Sequence, residues 1–244
     1  MSKTAIIIPA RYGSSRLEGK PLIKVEGKPI IQWVYEKAQA AKLADMIIVA
    51  TDDERIFNAV KDFGGNVEMT STEHKCGSDR IKEVVMRHPE TAYIVNLQGD
   101  EPLIKPSAID EVIKNVKEDE NADISTLLRV IKDDAELNNP NLVKCVRDVN
   151  GFALYFSRSK IPYERNAASG DFYGHLGIYG YKREALIKMT SLPQTPLEKT
   201  ESLEQLRALE NGMKIKTSVV DFVPVGIDTM EDLEQFKKII ATAV

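Results

Sequence analysis

Cysteine is nearly absent from this 244-residue chain: Cys76 and Cys145 are the only two. Two thiols are too few for a disulfide framework or a thiolate zinc site, so both are expected to stay reduced. Histidine is as sparse, with His74, His88 and His175, and none stands at metal spacing from a cysteine. Nor does Cys76 beside His74 form a nucleophile–base set, because no orienting group accompanies the pair. No apolar run approaches the roughly 18 residues of a membrane span. The opening Met1-Ser2-Lys3-Thr4, leading straight into Ile6-Ile7-Ile8-Pro9, lacks the basic region, long apolar stretch and small-residue cleavage site of a signal peptide. A cytoplasmic protein with no membrane partner is the expectation.

Excess charge of either sign is also missing. The net value is −4, from 33 basic and 37 acidic side chains, which argues against a nucleic-acid partner. The distribution is uneven. Residues 1–28 hold six cations (Lys3, Arg11, Arg16, Lys20, Lys24, Lys28) against Glu18 and Glu26, a net +4 that leaves −8 on the other 216 residues. A cationic patch in an acidic protein suits a small anion better than a polyanion.

What the chain has is alternation. Ile- and Val-rich runs near 4–9, 46–51, 66–69, 92–97 and 123–130 alternate with helix-length amphipathic segments near 30–42, 53–63, 79–88 and 107–118. That rhythm predicts a Rossmann-like α/β fold: an open, mostly parallel sheet flanked by helices. Past about residue 140 the pattern changes. Val143–Val149 and Phe152–Phe156 flank Asn150-Gly151, a strong hairpin signal and a candidate antiparallel extension. An irregular stretch over 161–174, a strand over 176–181, a helix near 197–211, a strand near 214–220 and a final helix near 229–242 follow. The second part reads as an extension packed on one domain, 1–244, rather than as a free domain.

Ligands of such sheets gather beyond the carboxyl ends of the strands. The first segment there runs from Ile8-Pro9-Ala10-Arg11 through Gly13-Ser14-Ser15-Arg16 to Gly19-Lys20-Pro21-Leu22. Its small residues let backbone N–H groups approach phosphate oxygens, and Arg11, Arg16 and Lys20 bring charge to a polyphosphate. The spacing matches neither the dinucleotide fingerprint nor the Walker loop. Val95–Pro102 then sets Asp100 and Glu101 at a strand end, where a carboxylate is well placed to hold a hard divalent cation. Gly226–Leu233 offers Asp228 immediately before Thr229 and Asp232, a pair with the look of a helix cap. Capping accounts for Thr229 and Asp232 but does not require Asp228, which is a candidate second metal ligand. On a strand, His175, Gly177, Tyr179 and Tyr181 share one face. On a helix over 197–211, Glu201, Glu204 and Gln205 lie together, opposite the leucines.

Taken together and in order, IIPARYGSSRLEGKPL, HKCGSDR, VNLQGDEP, YFSRSKIP, HLGIYGY, LEKTESLEQLR and GIDTMEDLE resemble the 3-deoxy-manno-octulosonate (Kdo) cytidylyltransferases over nearly the whole chain. The first motif marks only a broader group of nucleotidyltransferases; HLGIYGY with LEQLR is specific to the Kdo enzymes. Glu18 stands where the family has Pro, and Cys76 where it has Ser. The resemblance implies a nucleotide-diphospho-sugar transferase type of fold and transfer of a cytidylyl group from CTP to Kdo for lipopolysaccharide biosynthesis. It implies a triphosphate held by Arg11, Ser14, Arg16 and Lys20. Cytosine and ribose would be read by Pro9, Ala10, Gly77, Ser78, Arg80 and Gln98. Mg2+ would sit on Asp100 and Asp228, and the sugar acid on Arg158, His175, Tyr179, Glu204 and Gln205. Lys20, Asp100 and Asp228 would be catalytic, residues 1–135 mainly the CTP half, and 136–244 mainly the sugar and dimer-contact half of a homodimer. Cytidylyl transfer to another sugar acid or a polyol phosphate, and CTP binding without catalysis, are the alternatives.

Overall fold

The computed structural model describes residues 2–13, 17–166, 170–223 and 225–243. The chain forms two compact units, one of Met1–Asp110 with Pro224–Val244 and one of Glu111–Val223.

In the first unit, β1 (Lys3–Ala10) is followed by a short 3-10 turn at Lys20–Leu22 and a two-stranded ribbon, β2 (Lys24–Val25) and β3 (Lys28–Pro29). Then come α1 (Ile30–Gln39), β4 (Met46–Thr51), α2 (Glu54–Asp62), β5 (Val67–Met69), α3 (Gly77–Arg87) and β6 (Thr91–Asn96); α4 (Pro106–Glu118) leads into the second unit. The strands pair in parallel in the order β6-β1-β4-β5. Ala5–Ile8 of β1 are buried throughout. Burial on both faces is why this strand reads as an unbroken apolar run instead of an alternating one.

The second unit contains β7 (Ile124–Ile131), α5 (Asp134–Asn138), β8 (Lys144–Arg147), β9 (Ala153–Ser157), β10 (Phe172–Lys182), α6 (Arg183–Ser191), α7 (Pro196–Glu201), α8 (Gln205–Glu210) and β11 (Ile215–Val219). Here β7 pairs with β11 in parallel and with β10 antiparallel, and β10 pairs with β8 antiparallel. The hairpin expected around Asn150-Gly151 is β8–β9. Asp148 closes its loop by accepting from the Asn150 and Phe152 amides, with Gly151 at φ +81°.

Finally α9 (Met230–Ala243) returns to the first unit. Ile227, Leu233, Phe236 and Ile240 pack with Val25 and Ile30, while Trp33 meets the Phe236 ring edge-on at 5.8 Å and donates to the Val25 carbonyl. Thr229 and Asp232 do cap this helix: the Asp232 carboxylate accepts from the Thr229 amide and hydroxyl, and the Asp232 amide donates to Thr229 Oγ1.

The architecture is the expected α/β one, mostly parallel in the first unit with an antiparallel extension in the second. The single helix expected over 197–211 is instead two, α7 and α8, broken at Ser202 in the left-handed region (φ +53°). The cause is a buried ion pair. Arg207 grips Glu198 with two hydrogen bonds, Nε at 2.8 Å and Nη2 at 2.5 Å. Nine residues along a straight helix these side chains would lie on opposite faces, about 13.5 Å apart along the axis. The pair therefore forms only if the chain turns. Glu201 consequently does not share a helix face with Glu204 and Gln205.

Burial raises the Glu198 carboxyl, but the bonds from Arg207 and the Thr195 amide outweigh it and hold the group below its ordinary range. Removing one partner strands a buried charge, so Glu198→Ala should cost about 3–5 kcal/mol in chemical denaturation. A Glu198→Leu/Arg207→Met double variant should lose much less, because it leaves no charge unpaired.

Candidate active site

The carboxyl ends of β1 and β6 and the N-terminus of α3 surround one cavity of about 440 Å³. Pro9, Ala10, Arg11, Lys20, Gly77, Arg80, Gln98, Asp100 and Asp228 all line it. Ser78, on the first turn of α3, is buried. Ser14 and Arg16 lie outside the described residues.

Close packing shapes the floor. Pro9 runs between two glycines. A Cβ at Gly99 would come within 3.1 Å of the Pro9 carbonyl oxygen, and one at Gly77 within 3.3 Å of the Pro9 ring. Any larger residue at Gly99 would meet backbone, which has little room to give.

Lys20 is the electrostatic centre. Its Nζ donates to Asp100 Oδ2 at 2.7 Å and to Asp228 Oδ1 at 3.1 Å, with only 12% of its side chain exposed. Asp100 leaves the end of β6. Asp228 arrives from 128 residues further along the sequence because Ile227 is fully buried and its amide donates to the Asp100 carbonyl at 2.9 Å. The Asp228 amide in turn donates to Asp232. Two hard carboxylates thus converge on one cation, and such a donor set fits a divalent metal. Among the described residues no cluster of three His, Cys, Asp or Glu forms a metal cage. Magnesium bound through one or two carboxylates and substrate phosphates needs no such cage. Desolvation and the neighbouring Asp100 charge push Glu101 up to about 8.

Arg80 is engaged with protein. Its guanidinium donates to Thr70 Oγ1 and, at 2.6 Å, to Asp52 Oδ2, while Thr70 Oγ1 donates to the Thr51 carbonyl. Helix α3 is thereby tied to the ends of β4 and β5. His74 Nε2 lies 2.5 Å from Glu83 Oε2, and Glu83 also accepts from the Ser71 amide, steadying the segment that carries Lys75, Cys76 and Gly77 to the cavity. At the N-cap of α3, Cys76 makes no side-chain capping bond, a role a hydroxyl would fill. His74, Lys75, Cys76 and Gly99 line the cavity without having been singled out as ligands. Their position in the HKCGSDR and LQGDEP segments was the available signal.

The five sugar-acid candidates all belong to the second unit. On β10 the His175 and Tyr179 rings lie 5.3 Å apart and Tyr179 and Tyr181 5.9 Å, as the shared-face expectation requires; Phe156 of β9 meets His175 edge-on at 5.1 Å. Burial, with the Glu204 charge second, raises the Tyr179 hydroxyl well above its ordinary value. Gln205 is 7% exposed, and its Nε2 is buried with no hydrogen-bond partner among the described residues. An orphan donor of this kind signals a missing acceptor. Arg158 does not project freely: Nε donates to the Glu201 carbonyl at 2.7 Å and Nη1 to that of Pro140 at 3.1 Å.

Two groups hold the Arg158 segment, of which the sequence reading singled out Glu201 but not Lys144. Lys144, fully buried, donates to the carbonyls of Asn139, Leu142 and Arg158 at 2.7–2.9 Å, and desolvation lowers its pKa. Glu201 accepts from Ser157 Oγ at 2.6 Å and from the Arg158 amide at 2.9 Å.

A cationic cavity at the strand ends, with paired aspartates on its central lysine, defines a nucleotidyltransferase of the open α/β type. Residues 5–215 match the cytidylyltransferase family model. The 3-deoxy-manno-octulosonate cytidylyltransferase of Thermodesulfovibrio yellowstonii is 49% identical over 98% of both chains. That of Fusobacterium nucleatum is 50% identical over 94% of this chain and 93% of its own. The structure of CMP:2-keto-3-deoxy-manno-octonic acid synthetase complexed with CTP superimposes with a TM-score of 0.95 at 43% identity, covering 100% of both. The chain belongs to the 3-deoxy-manno-octulosonate cytidylyltransferase family. Enzymes of the broader cytidylyltransferase class are generally metal-dependent. No helix among the described residues is long and apolar enough to cross a membrane.

Desolvation pushes the His175 imidazole down to about 3. The folded state therefore resists a proton that the unfolded chain takes up near 6.5. The sign follows: stability falls as pH drops below about 6.5, by up to about 1.4 kcal/mol per unit. Denaturant titrations at pH 7.5, 6.5 and 5.5 should show a steeper loss for the wild type than for His175→Gln.

Proposed function

We propose that this enzyme transfers the cytidylyl group of CTP to the anomeric hydroxyl of Kdo, releasing pyrophosphate and supplying the activated sugar for lipopolysaccharide assembly. The observation that carries the residue assignment is the convergence of Asp100 and Asp228 on Lys20 inside the cavity below Pro9–Arg11. The Pro9–Ala10 backbone, Gly77, Ser78 and Gln98 receive cytosine and ribose. Arg11 and Lys20, with Ser14 and Arg16, take the triphosphate. Arg80 supports this set by holding α3 to the strand ends.

The acceptor hydroxyl oxygen attacks the α-phosphorus in line with the bridging oxygen. The new P–O bond forms as the bond to the β-phosphate breaks, pyrophosphate leaves with the electron pair, and the hydroxyl proton passes to water. Such transfers ask little covalent work of a protein and much positioning and charge. Lys20 and Arg11 meet the negative charge that builds on the leaving group. Asp100 and Asp228 would hold Mg2+, which would supply Lewis-acid polarisation of phosphate oxygens and acidify the acceptor hydroxyl. The residues that favour this assignment are the same that hold Lys20 when no nucleotide competes for it.

In the second unit, the neutral His175 and Tyr179, the orphan Gln205 amide and Glu204 supply hydrogen bonds for a polyhydroxylated acid, and Arg158 supplies a cation. A phosphorylated acceptor is less well served. Beyond Arg158, Lys160 is already drawn to Glu164, 3.5 Å away. The exposed Val149 and Leu154 of the β8–β9 hairpin suit the contact of a homodimer.

Pyrophosphate release with purified protein, CTP, Mg2+ and Kdo should vanish when any one is omitted, and phosphorylated acceptors should not replace Kdo. Asp100→Asn should lower kcat by about 10²-fold or more. Its melting temperature should stay near wild type, since a partly exposed ion pair contributes only about 0–1 kcal/mol. Normal turnover of that variant at saturating Mg2+ excludes the metal role.

A further inference from the structure

Strand β10 breaks register against β7: Leu176 opposes Leu127, but the next pair is Tyr179 with Thr126, so Gly177 and Ile178 bulge out of the ladder. Bulges next to binding sites re-aim side chains and leave ladder groups in need of other partners. Here the partner is a single hydroxyl. Thr126 Oγ1 lies 3.1 Å from the Leu176 carbonyl oxygen, 2.8 Å from that of Ile178, and 2.9 Å from Nε2 of His175. Thr126 is fully buried, so these neighbours, rather than solvent, set its hydrogen bonding.

A threonine hydroxyl has one proton and two lone pairs. Neither carbonyl carries a hydrogen, so the Thr126 proton goes to that pair. A lone pair then faces His175 Nε2. An unprotonated Nε2 would set two lone pairs against each other at 2.9 Å, whereas an Nε2–H makes a good hydrogen bond there. From this geometry we infer that Thr126 is a positioning residue: it locks His175 in the Nε2–H tautomer, leaving Nδ1 as an acceptor for a hydroxyl of the sugar substrate. The inference rests on the reading of His175 as part of the acceptor site.

The consequence is a division of tasks within the sugar-acid site. A neutral imidazole whose free nitrogen is a lone pair accepts from a hydroxyl and repels a carboxylate. His175 therefore reads a hydroxyl, and the substrate carboxylate must be met by another group. Desolvation around the ring, packed by Phe156 and Tyr179, disfavours the imidazolium that would blur this distinction.

Long-range proton–nitrogen correlation spectra of the full-length protein labelled at histidine nitrogen report the tautomer without substrate. Only three rings contribute, and loss of one set in His175→Gln assigns His175. At pH 7 the expected pattern is protonated Nε2 with unprotonated Nδ1. In Thr126→Val that pattern should give way to mixed tautomers, and the KM for Kdo should rise about tenfold with the KM for CTP unchanged. Thr126→Ser, which keeps the hydroxyl, should restore both. A protonated Nδ1 in the wild type overturns the inference even if no variant folds, and so does an unaltered pattern in Thr126→Val. If the tautomer responds as expected while the Kdo KM stays fixed, it is the acceptor role of His175 that fails.

Discussion

Two carboxylates repel each other unless a positive charge lies between them, and this enzyme is organised around meeting that condition. Lys20 sits between Asp100 and Asp228. The backbone bond from Ile227 to Asp100 holds the segments together whether or not the charges are satisfied. Behind it, the apolar cluster of Ile227, Leu233 and Phe236 anchors the C-terminal helix to the first unit. The geometric consequence is that both aspartates face one point, the arrangement a preorganised site requires.

The remaining polar contacts divide into those left open for substrate and those closed on the protein. Arg80, Lys144 and Arg207 are buried cations whose partners are protein groups. Each ties two separate segments together: α3 with strand ends, the Asn139–Leu142 turn with Arg158, α7 with α8. The Gln205 amide is the opposite case, a buried donor without an acceptor among the described residues. An unsatisfied buried group costs stability, and this one lies among the proposed sugar-acid residues. His175 stands between these classes, with one ring nitrogen committed to Thr126 and the other left to accept.

Much of the fold was legible because its signals are local. Ile6–Ile8 with Pro9, the Asn150-Gly151 turn and the Thr229–Asp232 cap each depend on neighbours a few residues away, and each folded as expected. The 197–211 segment was misread for the same reason. Local helix propensity continues across Ser202, but the Glu198–Arg207 pair and the buried environment that makes it strong are tertiary.

The order of elements, the cationic loop after a buried strand and the identity of the chemically useful side chains were determined by sequence alone. Spacing, composition and charge type are properties of the chain itself. Three things were decided only by tertiary structure: Asp228 meeting Asp100 across 128 residues, Arg80 engaged by Asp52 and Thr70, and Thr126 facing the His175 ring through a bulge. Each depends on which surfaces pack together and which hydrogen-bond donors burial leaves to be matched. Distances between groups far apart in the chain exist only once the core has closed.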